Sequence, residues 1–385
     1  MKILHICVCG PYTDDFNYQE NLLTKYQVES GYEVSLIASQ WAWGDDGKIK
    51  QITKTDYVDS VGAKIFRLEI KGNKNVFYRY KRFRTFYETI EKVEPDIMFV
   101  HNMQFFDIDQ IVQYAKKHKV VIYVDNHADF SNSARGMLAK IFYKTVWRHY
   151  AKLIEPYTDK FYGVMPSRVD FLINIYGLPK NKCELLVMGG NDELIQKAER
   201  HEVQSRIRAK YHIADDDFLI VTGGKIDAYK TQTFLLMRAI REMNIDRIRL
   251  LIFGSVDDEY KDEMNSLCDG SIIQYAGWVE SDQSYEYFAA ADLVVFPGRH
   301  SVYWEQVASQ GIPMICKYWD GTTHVDIGGN VEFLMEDSVR EIKGKLLGIV
   351  NHPEKYAHMK NVANSDGRQT FSYREIAKRS VGLDA

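Results

Sequence analysis

Short apolar runs recur along this chain between helical stretches, and the series then starts again. The first series falls at residues 2–9, 33–38, 64–69, 97–101, 120–125, 161–164 and 183–187. Each run is apolar and rich in β-branched or aromatic residues, and most end on polar or glycine residues, the pattern of buried strands. Stretches with helical periodicity separate many of them, for example 18–30 and 108–117. A second series follows at 218–222, 249–253, 272–275, 293–296 and 314–316, with helices expected at 231–242, 260–267, 283–290 and 302–310. Strand and helix in alternation make βα units and a parallel sheet. The changeover falls at Gly189-Gly190-Asn191-Asp192, followed by a charged stretch over 193–210. A chain of 385 residues is also too long for one ordinary core. The expected class is therefore α/β, with two Rossmann-like, doubly wound domains facing a central cleft.

Composition narrows the partners. Hydrophobic residues are 45% and charged residues 26%, the balance of a water-soluble globular chain. A net charge of -4 gives no ground for nucleic-acid binding. Cysteines stand at 7, 9, 183, 268 and 316, without a C-x-x-C pair, and no histidines lie at zinc spacing. That points to a reducing, cytoplasmic setting and to no metal site. The opening apolar run reads as a first strand rather than a signal peptide, and no run is long enough for a spanning helix.

Ligands of open α/β sheets bind at the carboxyl ends of strands, so the loops there carry the chemistry. Gly10-Pro11-Tyr12-Thr13 follows the first strand. It is not G-x-G-x-x-G, so a nicotinamide cofactor is not indicated, but its backbone can approach an anion or a sugar. Val100-His101-Asn102 and Asp125-Asn126-His127-Ala128-Asp129 close two further strands with polar side chains. In the second half, Thr222-Gly223-Gly224-Lys225 leads to Lys230, placing two glycines and two lysines around a strand end. Such a turn either holds a diphosphate or is a solvated loop; paired cations beside a Gly-Gly favour phosphate. Gly254 ends the next strand of that half. The loop Pro297-Gly298-Arg299-His300-Ser301-Val302 opens a helix that Ser301 is expected to cap and Gly311 to end. Glu305, one turn in, is placed to accept from ribose hydroxyls, or simply complements the helix dipole.

In order and spacing, these segments resemble the retaining GT-B glycosyltransferases of family 4. The likeness includes Gly31-Tyr32-Glu33-Val34 and Gly189-Gly190-Asn191-Asp192. It continues through Gly224-Lys225 with Lys230, Gly277-Trp278-Val279, and Ala290-Ala291-Asp292. Glu305 with Ala308, Gly311 and Pro313, and the closing Phe371-Ser372-Tyr373, complete it. The resemblance implies an acceptor-side domain at 1–190 plus a returning 368–385, and a donor domain at 191–367. It implies that Lys225 and Lys230 hold the donor diphosphate, that Val279 borders the nucleobase and that Glu305 binds ribose. Gly10, Gly223, Gly224, Gly254, His300, Ser301 and Val302 join the donor side. His127 would be catalytic, with Tyr12, His101, Asn102 and Asp129 toward the acceptor. The family's first glutamate, eight residues before the second, is Pro297 here, and Arg299, His300 or Ser301 would take its place.

The implied reaction moves a hexose from a nucleotide-diphosphate sugar to a polysaccharide, glycolipid or glycoconjugate acceptor. It needs no cofactor and, without an Asp-x-Asp in a fitting loop, no metal. A non-catalytic nucleotide-sugar-binding homologue or partner subunit is the alternative. A sugar-nucleotide epimerase would need acid–base carboxylates and histidines in a pattern the motifs do not display. Two stretches mix basic and aromatic residues: 77–87, and 137–153, where Lys140, Lys144, Arg148 and Lys152 stand four apart. One basic helix face of this kind suits peripheral docking on an anionic membrane surface.

Overall fold

The computed structural model describes residues 1–44, 47–72, 82–133 and 136–383. The chain forms two compact units, Met1–Val187 with Tyr373–Ala385, and Met188–Ser372.

The first unit is built on an eight-stranded sheet. In spatial order its strands are Cys183–Leu185, Thr158–Gly163, Val121–Asn126, Ile97–His101, Lys2–Cys7, Glu33–Ser39, Lys64–Leu68 and Asp56–Val58. All pairs are parallel except the last, which runs antiparallel at the edge. Lys2–Cys7 sits in the middle, with Ile6 opposite both Ile37 and Val100. Leu4, Ile6, Val100, Val124 and Phe161 are buried in one core with residues such as Phe105, Ile111 and Trp147 from the covering segments. The returning helix Tyr373–Ser380 ties back to helix Gln19–Glu29, where Arg374 pairs with Glu29 at 3.0 Å.

The second unit has six parallel strands in the order Ile273–Tyr275, Ile248–Phe253, Phe218–Gly223, Leu293–Phe296, Met314–Lys317 and Val331–Leu334. Helices Gln232–Met243 and Val339–Val350 bury Met237, Ile240, Leu346 and Ile349 against Ile220, Leu250 and Val295. The strands expected from the apolar runs are all present, with ends shifted by a few residues. Strand Val331–Leu334 was not expected, nor was the small hairpin of Trp41–Trp43 and Ile49–Gln51. Both lie at margins where one face is open, so their sequences lack an unbroken apolar run.

One expected helix is interrupted. Met137–Phe142 passes into a π-helical turn, Tyr143–Trp147, before Arg148–Ile154 resumes. A π turn widens the spacing, so the four-apart basic residues do not form one straight stripe. Tyr143, Trp147 and Tyr150 pack on the core, while Met137 and Leu138 stay 79% and 84% exposed. Residues 77–81 of the other basic–aromatic stretch lie outside the described residues. No described helix is long and apolar enough to cross a membrane.

Arg67 shows how tightly the first unit is organised. Its side chain is wholly buried. It donates to the carbonyls of Tyr12 and Ser39 (3.0 and 3.2 Å), to the Tyr57 hydroxyl (2.8 Å) and to Asp14 (3.2 Å). Truncation would strand these acceptors in the interior, at a cost of about 3–5 kcal/mol. Arg67→Ala is expected to lower the melting temperature by on the order of 10 °C, measured by calorimetry; a drop within a degree or two would refute this account.

Candidate functional site

In the second unit, two loops from neighbouring strand ends line one pocket. Gly223, Gly224, Lys225 and Lys230 come from the first loop, and Pro297, Gly298, Arg299 and Ser301 from the second. The glycines make the approach possible. Gly224 (φ +122°) and Gly254 (φ +125°) both adopt a backbone that side chains rarely tolerate. A Cβ on Gly254 would collide with the Gly224 carbonyl oxygen, and one on Gly223 with the Phe253 ring. Gly254 thus lies behind the turn and supports it, rather than lining the pocket.

The cations differ in their surroundings. Lys225 is half-exposed and pairs with Asp257 at 3.0 Å and Asp227 at 3.8 Å. Its pKa is raised chiefly by the Asp257 hydrogen bond. Lys230 is half-buried and, among the described residues, has no salt-bridge partner. Burial lowers its pKa, Asp227 pulls the other way, and Arg299 lowers it further. Arg299 likewise has no salt bridge among the described residues and stacks near the Tyr229 ring, 5.8 Å from its centroid. Two neighbouring cations with no salt bridge of their own among the described residues set up a potential that attracts an anion.

The donor-side expectations differ from the structure at several positions. The helix runs Tyr303–Ser309 after Val302, and no side chain caps it. Ser301 is one residue too early, and its carbonyl accepts from Trp304 N–H at 3.0 Å instead. Val302 is exposed, Val279 is buried, and neither lines the pocket. Glu305, expected at the donor ribose, is engaged by side chains of its own unit. It is fully buried, and its Oε1 accepts from His300 Nε2 and His324 Nε2, each at 2.9 Å, while Oε2 has no partner. Burial pushes this carboxyl up, but the two imidazoles outweigh it and hold it below the usual range. Among the described residues, only these three have His, Cys, Asp or Glu ligand atoms close enough to share a metal ion. Two imidazole N–H groups on one carboxylate oxygen account for that spacing. His324 escaped the sequence reading because its partner is 19 residues away and no local motif marks it.

In the first unit, Gly10, His101, Asn102 and His127 line another pocket, together with Glu20, Gln104 and Asn132. Gly10, expected on the donor side, therefore shares a pocket with His101, Asn102 and His127. Asn102 adopts φ +65°, and it links the two loops: its N–H donates to Asp125 and its Oδ1 accepts from His127 N–H, both at 2.9 Å. Asp125 is buried between His101 (3.2 Å) and His127 (3.3 Å). Burial raises its pKa, yet His127 and His101 more than offset this and hold it low. Tyr12 and Asp129 do not reach the pocket lining. Tyr12 is in the core beside Arg67. Asp129 folds its own loop, accepting from Ser131 N–H (2.7 Å), Asn132 N–H (3.1 Å) and Arg168 (3.4 Å).

No family model and no curated relative matches the chain in sequence. Solved structures match it over both units. A glycosyltransferase from Rickettsia africae ESF-5 has TM-score 0.67 at 14% identity, covering 99% of this chain and 97% of that one. HepE of Anabaena, in complex with UDP, has TM-score 0.66 at 12% identity over 98% of each chain. The chain has the GT-B fold. That fold is not confined to transferases. The UDP-GlcNAc 2-epimerase from Neisseria meningitidis, bound to UDP-GlcNAc, has TM-score 0.62 at 12% identity, over 100% of this chain and 99% of that one.

Gly254→Ala tests the geometry of the turn. The added methyl meets backbone in a disfavoured conformation, a cost of about 1–3 kcal/mol. The variant should melt several degrees below the parent, and an unchanged melting curve would contradict the close approach to Gly224.

Proposed function

We propose that the protein is a glycosyltransferase that moves a hexose from a nucleoside-diphosphate sugar to a carbohydrate or lipid-linked acceptor. The observation that carries this reading is the half-buried Lys230 beside Arg299, neither with a salt bridge among the described residues, at a Gly-Gly turn. Breaking a nucleotide–sugar bond develops negative charge on the departing diphosphate while the sugar becomes oxocarbenium-like. Fixed cations stabilise that charge without reorganising. Lys230 and Arg299 meet the phosphates, and Lys225 joins them by exchanging Asp257 for the ligand. The loop from Pro297 to Ser301 stands where the resembled family uses its first glutamate, so Arg299 and His300 take over contacts to the donor. Glu305 acts by orienting His300 rather than by touching ribose.

Retention of configuration without a metal ion follows from the resemblance of the Gly-Gly-Lys and Glu305 segments, with the leaving phosphate helping to deprotonate the acceptor. The acceptor side falls to the first unit's pocket around His127. An epimerase reading has one observation in its favour, a buried carboxylate between two histidines in each unit. A non-catalytic nucleotide-sugar binder is favoured by Pro297. Incubation of donor with a panel of sugar and lipid-linked acceptors separates the three: a new glycoside or released sugar marks a transferase, an epimeric nucleotide sugar an epimerase, and unchanged donor throughout a binding protein.

A thermal-shift panel of nucleoside diphosphates identifies the ligand. A nucleotide at a hundred times its Kd stabilises by about 2.7 kcal/mol. Lys230→Ala should weaken that nucleotide by roughly tenfold to a hundredfold, the worth of a charge-assisted hydrogen bond of about 1.5–3 kcal/mol. It should also abolish most turnover while leaving the melting temperature of the free protein nearly unchanged. Near-normal binding and turnover in the variant would refute the phosphate assignment.

Peripheral membrane docking belongs to the same reading. Met137, Leu138 and Ile141 are exposed beside Lys140 and Lys144 on the segment that opens the interrupted helix. Apolar side chains flanked by lysines suit an anionic lipid surface. The protein should co-sediment with vesicles containing phosphatidylserine at low salt, and Leu138→Glu should release it. Equal binding of parent and variant, or none by the parent, would exclude this surface.

A further inference from the structure

A line of buried polar side chains runs through the first unit from its returning helix to the His127 pocket. Ser380 Oγ donates to the Ala377 carbonyl at 2.7 Å. Gln27 Nε2 donates to Ser380 Oγ at 3.2 Å and lies 3.5 Å from the same carbonyl. Gln27 Oε1 is 2.6 Å from His5 Nε2. His5 Nδ1 is 2.9 Å from His101 Nε2, and His101 Nδ1 is 3.2 Å from Asp125 Oδ2. The same Asp125 oxygen meets His127 Nε2 at 3.3 Å. Gln27, His5, His101 and Asp125 are all buried, and only His127 is open, at 31%.

The direction of each hydrogen bond follows from its ends. An amide's orientation is decided by what its two ends meet. The amide nitrogen of Gln27 faces an acceptor carbonyl and a hydroxyl whose own proton goes to that carbonyl. Its oxygen therefore faces His5, and 2.6 Å is short for N–H···N but suits N–H···O. So Nε2 of His5 carries the proton. Burial, then the nearby His101, lowers the His5 pKa to about 3, and the ring is neutral. A neutral ring has one N–H, so His5 Nδ1 can only accept. Nε2 of His101 must then donate to it. Nδ1 of His101 faces an acceptor-only carboxylate and must donate as well.

We propose that His101 carries protons on both ring nitrogens, and that its positive charge balances Asp125 so that His127 stays a neutral ring with a bare Nδ1 for a substrate hydroxyl. His101 is thus a positioning residue that acts through Asp125. The proposal rests on reading the pocket as a carbohydrate site, since a bare imidazole nitrogen accepts from hydroxyls whereas an imidazolium offers only donors. The other titratable groups here are Cys7 and Cys9 from the first strand, Glu20 from the first helix and Tyr143 from the π turn. Burial, and next Glu20, push the Cys7 thiol up, so it adds no charge. Glu20 is the one further carboxylate on the pocket, and it does not contact His101 within the chain of hydrogen bonds described. Removing the His101 charge leaves Asp125 to draw a second proton onto His127.

The test is imidazole nitrogen NMR on the full-length protein with labelled histidine, assigned by single His→Asn variants. At neutral pH the expected pattern is His5 protonated at Nε2 only, His101 at both nitrogens and His127 at Nε2 only. A bare nitrogen on His101 overturns the proposal, as does a His5 protonated at Nδ1. In His101→Asn, His127 should gain its second proton at neutral pH. The acceptor KM should then rise roughly threefold to tenfold, the worth of one neutral hydrogen bond, with a smaller change in kcat. Raising the pH should reverse the KM effect, because deprotonation restores the bare nitrogen; a rise in KM that persists at high pH would mean a merely structural role. The spectra need no substrate. The protonation pattern without any sugar transfer would remove the proposed function and leave the network standing, and transfer without the pattern would do the opposite.

Discussion

Parallel strand pairing brings the chemically useful residues together, because it aligns the carboxyl ends of neighbouring strands along one edge of each sheet. In the second unit Gly223 pairs with Phe253, so Gly224 and Gly254 emerge side by side. Strand Leu293–Phe296 lies on the other side of Phe218–Gly223 and delivers the loop that holds Arg299. In the first unit His101 pairs with Asp125, so Asn102 and His127 leave the sheet as neighbours. Shifting one strand by a residue would turn each of these side chains to the opposite face. The register is therefore a condition of the pockets as much as of the core.

That dependence explains what could be read in the sequence. Buried parallel strands have apolar neighbours on both faces, so runs such as Leu-Ile-Val at 219–221 announce themselves. Glycines forced by backbone conformation, such as Gly224 at φ +122°, also stand out, because the turn that needs them follows a strand directly. Ser301 misled for a local reason. Helix starts are specified within a residue or two, and Val302 ends up just before the first turn. Tyr12 sits in a promising loop by position, yet the buried Arg67 needs its carbonyl, and Arg67 is 55 residues away. The stripe over 137–153 assumed an uninterrupted helix, and the π turn at Tyr143–Trp147 has no marker in residue type.

Least legible were the partners of buried charge. Gln27 and His5 are separated by 22 residues, and His5 and His101 by 96. Each looks ordinary in its own segment: a glutamine inside a helix, a histidine inside an apolar strand. Their meaning comes from tertiary contact alone, since a buried donor or acceptor must find its match wherever the fold supplies one.

The two units solve one electrostatic problem in different ways. Each buries a carboxylate between an inner and an outer histidine: Asp125 with His101 and His127, Glu305 with His324 and His300. A buried carboxylate is tolerable only when its charge is met nearby. In the first unit the inner histidine meets a second buried ring, His5, and the proposed second proton of His101 lies between them. In the second unit the corresponding nitrogen, His324 Nδ1, has no partner among the described residues. The other partner of Glu305, His300, stands on the loop that also carries Arg299. The two triads therefore differ on their inner side, where one ring is backed by a second imidazole and the other is not. What separates the two triads is whether one buried ring nitrogen meets a partner.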